Sequence, residues 1–276
     1  MLAIVLALGT SVAYGVANFL GPLLGRSHPQ AAVLLAGQLA ALAGAAALVI
    51  FSGDGRPPAA GIALGLLAGV GNIAGLATFY RAASLGPVSI AAAIGATGTV
   101  LPVIFGLATG ESLAFNEAAG IVLAIAGAIL ASQRGDPVVI PKDAALWAIL
   151  SALGFGGFLI ALPEAVDRGG TAWALLDARV AVVVLLVSGA LLLRAPMRSD
   201  PRALPKLALP GLLLLTGTLM YAEATQRGLL SVVSVLASLA TVVTVTLAFF
   251  LLGERINRVQ RAGVAAATLG VVLLAL

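Results

Sequence analysis

The sequence predicts an all-α polytopic membrane protein of ten transmembrane helices, built from two inverted five-helix repeats. Three observations predict this. Of the 276 residues, 61% are hydrophobic and 9% charged, where a soluble domain carries about 25% charged residues. The charges punctuate a series of apolar runs, each long enough to span a bilayer with about 20 residues. The chain also repeats a pattern of glycines and a glutamate at a constant spacing, from Gly110-Glu111 to Gly253-Glu254.

Fifteen basic and 11 acidic side chains cannot cover a globular surface on a chain of this length. Soluble enzymes, nucleic-acid binders and disordered chains are excluded together. The net charge of +4 therefore speaks of membrane orientation and not of an anionic polymer. Cysteine is absent, which removes disulfides, thiol nucleophiles and Cys-ligated metals. The stretch from Met1 to Gly25 carries no charged side chain and lacks the basic start of a secretory signal, so it reads as a retained first helix.

The runs 1–25, 27–53, 57–80, 82–110, 144–163 and 228–253 hold no Asp, Glu, Lys or Arg. Four more segments, 113–133, 170–193, 206–226 and 257–276, hold an occasional charge. Helices are therefore expected near 3–24, 29–51, 58–80, 86–109, 113–133, 143–163, 170–193, 206–226, 229–252 and 257–276. The runs are continuous and not alternating, which argues against a β-barrel. Helices satisfy every backbone group inside lipid. The longest connections, 134–142 and 194–205, are rich in proline and basic residues.

The duplication is read from spacing. Gly110-Glu111, Gly120 and Gly127 recur as Gly253-Glu254, Gly263 and Gly270. Upstream, Tyr80 and Gly86-x-x-Ser89 recur as Tyr221 and Gly228-x-x-Ser231, at a slightly shorter offset. Residues 1–134 form a first repeat, 135–142 a linker and 143–276 a second repeat. Five helices in each turn the second copy upside down, the arrangement of alternating-access carriers with a site between the halves.

The stretch from Tyr80 to Ser132, with Pro102 in helix four and the Gly-Glu turn before helix five, resembles an EamA-type repeat, as does Tyr221 to Leu276. Tyr14-Gly15-x-x-Asn18-Phe19 resembles the start of that family, with Tyr in place of the commoner Trp. The resemblance implies the drug/metabolite transporter superfamily: ten helices, secondary transport and often export.

Candidate residues are those whose polarity is out of place at membrane depth. Asp177, Arg179 and Glu223 fall inside expected helices, where charges are costly and face a cavity or a partner. Arg179 lies about ten residues into helix seven, roughly 15 Å deep. Glu223 is its expected partner, although Arg227 at i+4 offers Glu223 an interfacial pair instead. Glu223 and Asp177 are the candidate proton-coupling carboxylates. Gln38, Asn72, Thr216, Thr218, Thr241 and Thr244 are uncharged polar groups at depth, joined by Tyr14 and Asn18 in helix one. Each can be glue between helices. Gln38 corresponds to Arg179 at the repeat offset, which raises the interest of both. Substrate-binding candidates are Arg179, Glu223, Gln38 and Asn72, with Tyr14 and Asn18 and the repeated tyrosines Tyr80 and Tyr221.

Other features have structural readings beside functional ones. Gly61, Gly65, Gly69, Gly71 and Gly75 form overlapping GxxxG spacings, either a tight static contact or a rocking surface. Pro102 is expected to kink helix four; its counterpart Val245 keeps its N–H, so the halves are expected to differ there. Glu111 and Glu254 precede helices and are expected to cap them. Trp147 and Trp173 read as interfacial anchors. His28 stands alone in a loop, so no metal is expected.

No phosphate-binding G-x-x-x-x-G-K-[ST] and no H-E-x-x-H occurs. The expectation is a secondary carrier, without cofactor or nucleic acid, of a small polar or amphipathic metabolite or drug. Its partners are that solute, the bilayer and protons as a coupling ion, and it works as a monomer or homodimer. Export is expected, in a prokaryotic plasma membrane. Uptake or exchange is the alternative; a channel, a scaffold or an enzyme using Asp177 are the rivals from other classes. Orientation can be read in two opposing ways. The resemblance implies cytoplasmic termini. Odd-numbered loops, however, hold 11 Lys and Arg against three in even-numbered loops, which places both termini outside.

Overall fold

The computed structural model describes residues 1–85, 94–95, 97–132, 142–196, 199–252 and 257–276; the side chains of Tyr80, Ala83, Ser84, Ser132 and Leu252 also lie outside the description. Among the described residues all regular structure is helical. The helices are α1 (Leu2–Gly25), α2 (Gln30–Ser52), α3 (Ala59–Leu85), α4 (Val100–Ala108), α5 (Phe115–Ser132), α6 (Lys142–Gly169), α7 (Thr171–Leu192), α8 (Leu204–Thr225), α9 (Leu230–Ser238), α10 (Ala240–Leu252) and α11 (Arg258–Ala275). Among the described residues eight segments are long and apolar enough to cross a membrane, with Leu230–Leu251 counted as one; Thr97–Ala108 and Phe115–Ala131 are shorter apolar helices.

The core inverts the pattern of a soluble protein. Alanine supplies most of the buried hydrophobic positions, while Leu66, Leu67 and Val70 on α3 and Leu146, Ile149 and Leu153 on α6 point outward. Lipid is as apolar as leucine, so helices associate through close backbone approach, which small residues permit. α3 lies against α6 and α7, α8 against α1 and α2, and α5 against α11. The glycines of α3 divide between two neighbours. A Cβ on Gly65 or Gly69 would meet α7 at Asp177 or at Ala178 and Ala181; one on Gly71 or Gly75 would meet α6 at Gly154 or Phe155. The repeated glycines cross at α5 and α11, where Gly120 faces Gly270 and Gly127 faces Gly263.

Two expectations are corrected. Helix nine is interrupted: Leu239 separates α9 from α10, and its N–H bonds the Leu236 carbonyl at 3.2 Å in a tight turn. Pro102 does not break a helix midway. It is the third residue of α4 and follows a 3₁₀ turn over Thr97–Thr99, where its missing N–H would be unpaired anyway. Thr97 and Leu239 are counterparts at the repeat offset. Interruptions thus fall at corresponding places, while Pro102 is the third residue of α4 and Val245 the sixth of α10.

Glu111 is a cap, but for a distant helix. Its carboxylate accepts from the Leu230 N–H (2.5 Å), the Ser231 N–H (3.2 Å) and the Ser231 hydroxyl, at the start of α9. A carboxylate there meets unpaired N–H groups and the positive end of the helix. Glu254 and the repeated Gly86, Ser89 and Gly253 lie outside the described residues. Trp173 donates to the Asp54 carbonyl (3.3 Å), while Trp147 packs with Phe79 and Ile94 against Ala82 and Ala148. Ser199 and His28 are hydrogen-bonded at 3.1 Å, which joins two odd-numbered loops.

Candidate functional site

Arg179 sits eight residues into α7 and Gln38 eight residues into α2, each about 12 Å from its helix start. Tyr14 lies at the middle of α1, and Leu214 at the middle of α8 with Thr218 one turn beyond. These four helices thus bring polar groups together at mid-helix depth. Arg179 is the one charged side chain buried among the described residues, at 3% exposure.

Its guanidinium donates from Nη1 to Gln38 Oε1 (3.1 Å), and from Nη2 to Thr218 Oγ1 (2.7 Å) and the Leu214 carbonyl (3.3 Å). Nε is enclosed and has no hydrogen-bond partner. The Thr218 hydroxyl donates to the Leu214 carbonyl (2.7 Å) and lies 2.9 Å from the Tyr14 hydroxyl. A hydroxyl has one hydrogen. Thr218 therefore accepts from both Arg179 and Tyr14, and the Tyr14 oxygen keeps its acceptor capacity. All three acceptors around Arg179 are neutral.

Asn18 follows Tyr14 by four residues and so shares its helix face, opposite the lipid-facing Val5 and Val12. Asn18 is exposed, whereas Tyr14 is half-buried. Asn72 is half-buried on the side of α3 away from Leu66 and Val70, next to the close contact with α7.

The expected Arg179–Glu223 pair is not formed. Glu223 pairs with Arg227 at 2.5 Å and accepts from the Thr171 hydroxyl at 3.0 Å. Thr171 begins α7, so this carboxylate lies about 12 Å in depth from Arg179. The i+4 arginine and a hydroxyl at the helix end hold it at the rim, where charge is cheaper to keep. Asp167 and Gln226 are joined beside it (2.6 Å), and Glu164 pairs with Arg168 (2.5 Å). Asp177 turns the other way, to Gly65 of α3. It is half-buried, and its enclosed Oδ2 has no partner.

Tyr221 belongs to the framework. It is fully buried, and its hydroxyl donates to the Leu159 carbonyl (2.7 Å) and lies 2.8 Å from Ser234 Oγ. That leaves it no contact for a ligand. The Tyr80 side chain lies outside the described residues. The sequence singled out Arg179, Gln38 and Tyr14, which do converge. Thr218 was only one polar residue among several at depth, and the Leu214 carbonyl carries no side-chain signal at all.

The family model for the EamA-like transporter family matches residues 1–133 and again 143–276. A solved structure described as "Crystal structure of protein" is similar over 98% of this chain and 95% of its own, with a TM-score of 0.77 at 15% sequence identity. That likeness speaks of fold alone. No curated protein matches the chain. Two family matches that together span nearly every residue, on a bundle with eight apolar spans, fix what kind of molecule this is. The chain belongs to the EamA-like transporter family and is an integral, multi-pass membrane protein of the drug/metabolite transporter type.

Proposed function

We propose that this chain is a secondary active transporter that exports a small polar or amphipathic metabolite by alternating access. In this reading it crosses the membrane ten times as two inverted repeats, residues 1–134 and 143–276, joined by 135–142. What carries the reading is contact geometry that recurs at offsets of 141 to 142 residues. Thr10 donates to the Gly217 carbonyl at 3.1 Å, and Ser151 donates to the Gly75 carbonyl at 2.9 Å. These are counterparts at the repeat offset. Gly15 faces Ala240 and Val243, as Gly156 faces Gly98 and Leu101. Arg179 and Gln38, counterparts in the same way, bond to each other. A contact between equivalent residues lies at the axis relating the halves, where a rocking carrier holds its solute. The paired interruptions before α4 and at Leu239 support the same placement, because discontinuous helices line such sites.

The site of this proposal is Arg179, Gln38, Thr218 and Tyr14, with Asn18 and Asn72 on the approach. Asp177, with its enclosed and unpartnered oxygen, is the proton-coupling candidate that the geometry favours over Glu223. One chain supplies every one of these groups, so a monomer suffices. Export is the direction that the family resemblance implies. Odd-numbered loops, with their excess of Lys and Arg, face the cytoplasm of a prokaryotic cell.

The test is counterflow of labelled solutes into liposomes holding the purified protein. A carrier accelerates exchange against unlabelled solute inside, whereas a channel or an enzyme does not. Orientation is read from cysteines placed in this naturally cysteine-free chain. In intact cells Gly55→Cys should react with an impermeant maleimide and Pro196→Cys should be protected; the reverse result would overturn the orientation.

A further inference from the structure

The guanidinium of Arg179 poses a question of charge. An arginine stays protonated inside proteins and offers five N–H donors. Here three hydrogen bonds are made, all to neutral oxygens of Gln38, Thr218 and Leu214, and the enclosed Nε–H has none. The ion pairs formed among the described residues, Glu164–Arg168 and Glu223–Arg227, both lie at the rim. A positive charge at mid-helix depth in a membrane protein is costly and is met by an opposite charge, a backbone carbonyl or a cavity; Arg179 has one carbonyl, from Leu214, and no anion.

Tying helices together does not account for that charge. Gln38 occupies the equivalent place in the first half and serves as a neutral hydrogen-bonding residue. A second glutamine at 179 could join α2, α7 and α8 without bringing an ion into the bilayer. The charge is extra to structural need, and it is held preorganised with two of its five donors unused.

We infer that the transported solute carries a singly charged carboxylate and docks it on Arg179, in exchange for Gln38 or Thr218. This rests on the carrier reading above and names its substrate class. One guanidinium balances one negative charge. A doubly charged phosphate would leave net charge at the middle of the membrane. The Tyr14 hydroxyl, already a donor to Thr218, turns to the carboxylate when Thr218 yields. Asn18, one turn along α1 and exposed, meets a second polar group of the solute. Because the guanidinium is enclosed in this conformation, binding requires these neighbours to move. A solute that replaces Gln38 Oε1 also breaks the bond between the two halves, which couples docking to their relative motion.

The test measures thermal stabilisation of the purified protein by benzoate, benzamide and benzylamine, a size-matched acid, amide and amine, with phosphate and chloride as inorganic anions. A bound ligand stabilises the folded state by mass action. Benzoate should raise the melting temperature of the wild type, and the amide and amine should not. Arg179→Gln should weaken benzoate binding at least tenfold, while Arg179→Lys, which keeps charge but loses the planar fork, should retain part of it. Should Arg179→Gln fail to fold, the selectivity of the wild type and the Arg179→Lys result decide. Equal stabilisation by benzamide or benzylamine overturns the proposal, as does a benzoate effect unchanged in Arg179→Gln, or no benzoate effect. Stabilisation by phosphate or chloride equal to that by benzoate overturns the carboxylate assignment. Arg179-dependent benzoate binding without counterflow would sink the carrier reading and leave the anion site. Counterflow of a neutral or cationic solute, unaffected by Arg179→Gln, would do the reverse.

Discussion

Two niches of this protein share a backbone arrangement and differ in chemistry. In one, the Gly217 carbonyl receives the Thr10 hydroxyl and the glycine faces the Tyr14 ring; Thr218 and Arg179 lie beside it. In the other, the Gly75 carbonyl receives the Ser151 hydroxyl and the glycine faces the Phe155 ring. At the repeat offset Phe155 stands for Tyr14, Leu76 for Thr218 and Gln38 for Arg179. Every group that gives the first niche its polarity is neutral or apolar in the second. Close contact between helices needs the same small residues in both places, whereas recognition of a solute needs one charged place near the axis and is harmed by two. In the proposed two-repeat carrier the contact is therefore kept in both places and the charge in one.

The largest effect is expected from filling the glycines. A Cβ at Gly217 or Gly75 already collides with the facing ring, and Gly75 also meets the Phe155 backbone. Leucine at either position should cost about 1–3 kcal/mol or more of stability through overpacking, seen as aggregation on size-exclusion chromatography. If one tolerates leucine and the other does not, the niches are not equivalent in shape. The same reasoning changes what a bulky residue on the α3 glycines can report. Gly69 faces the Ala178 backbone, so Gly69→Leu is a folding lesion and cannot by itself reveal rocking.

Next comes the charge itself. Arg179→Gln should abolish transport in protein that remains monodisperse, because a glutamine there mimics its neutral counterpart. Gln38→Leu should do something different. It removes one acceptor and leaves the Arg179 Nη1 donor unpaired, a loss of about 1–3 kcal/mol, visible as a lower melting temperature. The double variant Gln38→Arg with Arg179→Gln should not restore transport, since Phe155 and Leu76 offer no hydroxyl to the relocated charge. Full activity in that variant would mean that charge alone defines the site.

The sequence made the periodic part of this protein legible and left the aim of its side chains hidden. Apolar runs located the eight spans seen among the described residues, because lipid imposes one simple demand on every span. The pairing of Gln38 with Arg179 was visible as an offset before it was visible as a hydrogen bond. Glu223 shows the limit. Depth along a helix can be counted, but two partners compete for one carboxylate, and a count cannot tell that Thr171 and Arg227 hold it at the rim. Leu239 is another case: no glycine or proline marks the interruption, which lies where α10 closes on Gly15 of α1. Thr218 was one of several threonines, distinguished only by what the fold set beside it.

A milder change acts at the hydroxyl. Tyr14→Phe converts the first niche toward the second by removing one donor to Thr218. A neutral hydrogen bond contributes about 0.5–1.5 kcal/mol to stability, so the melting temperature should fall slightly, and solute affinity should fall with it because the carboxylate loses the Tyr14 donor. Phe155→Tyr, the reciprocal change, should leave affinity unaltered. An equal effect of both would argue that the solute spans the axis and touches each niche.

The smallest effect is expected at Glu223, where the sequence placed a coupling residue. Its carboxylate is held by Arg227 and Thr171 near a helix end, with both ion-pair partners partly exposed. Such a pair contributes about 0.2–1 kcal/mol. Glu223→Gln keeps the bond from Thr171 and loses only the charge, so it should shift the melting temperature slightly and leave the pH profile of transport as in the wild type. Asp177→Asn is the contrasting variant. That side chain is two residues from Arg179 but faces Gly65 on the opposite side of α7, where an enclosed oxygen has no partner. Were protons to drive the cycle from Asp177, Asp177→Asn would flatten the pH profile and leave benzoate stabilisation intact, because the amide cannot release a proton and the Arg179 niche is untouched. A flattened profile in Glu223→Gln, with Asp177→Asn behaving as the wild type, would return the coupling role to the rim and dissociate it from the helix that carries the charge.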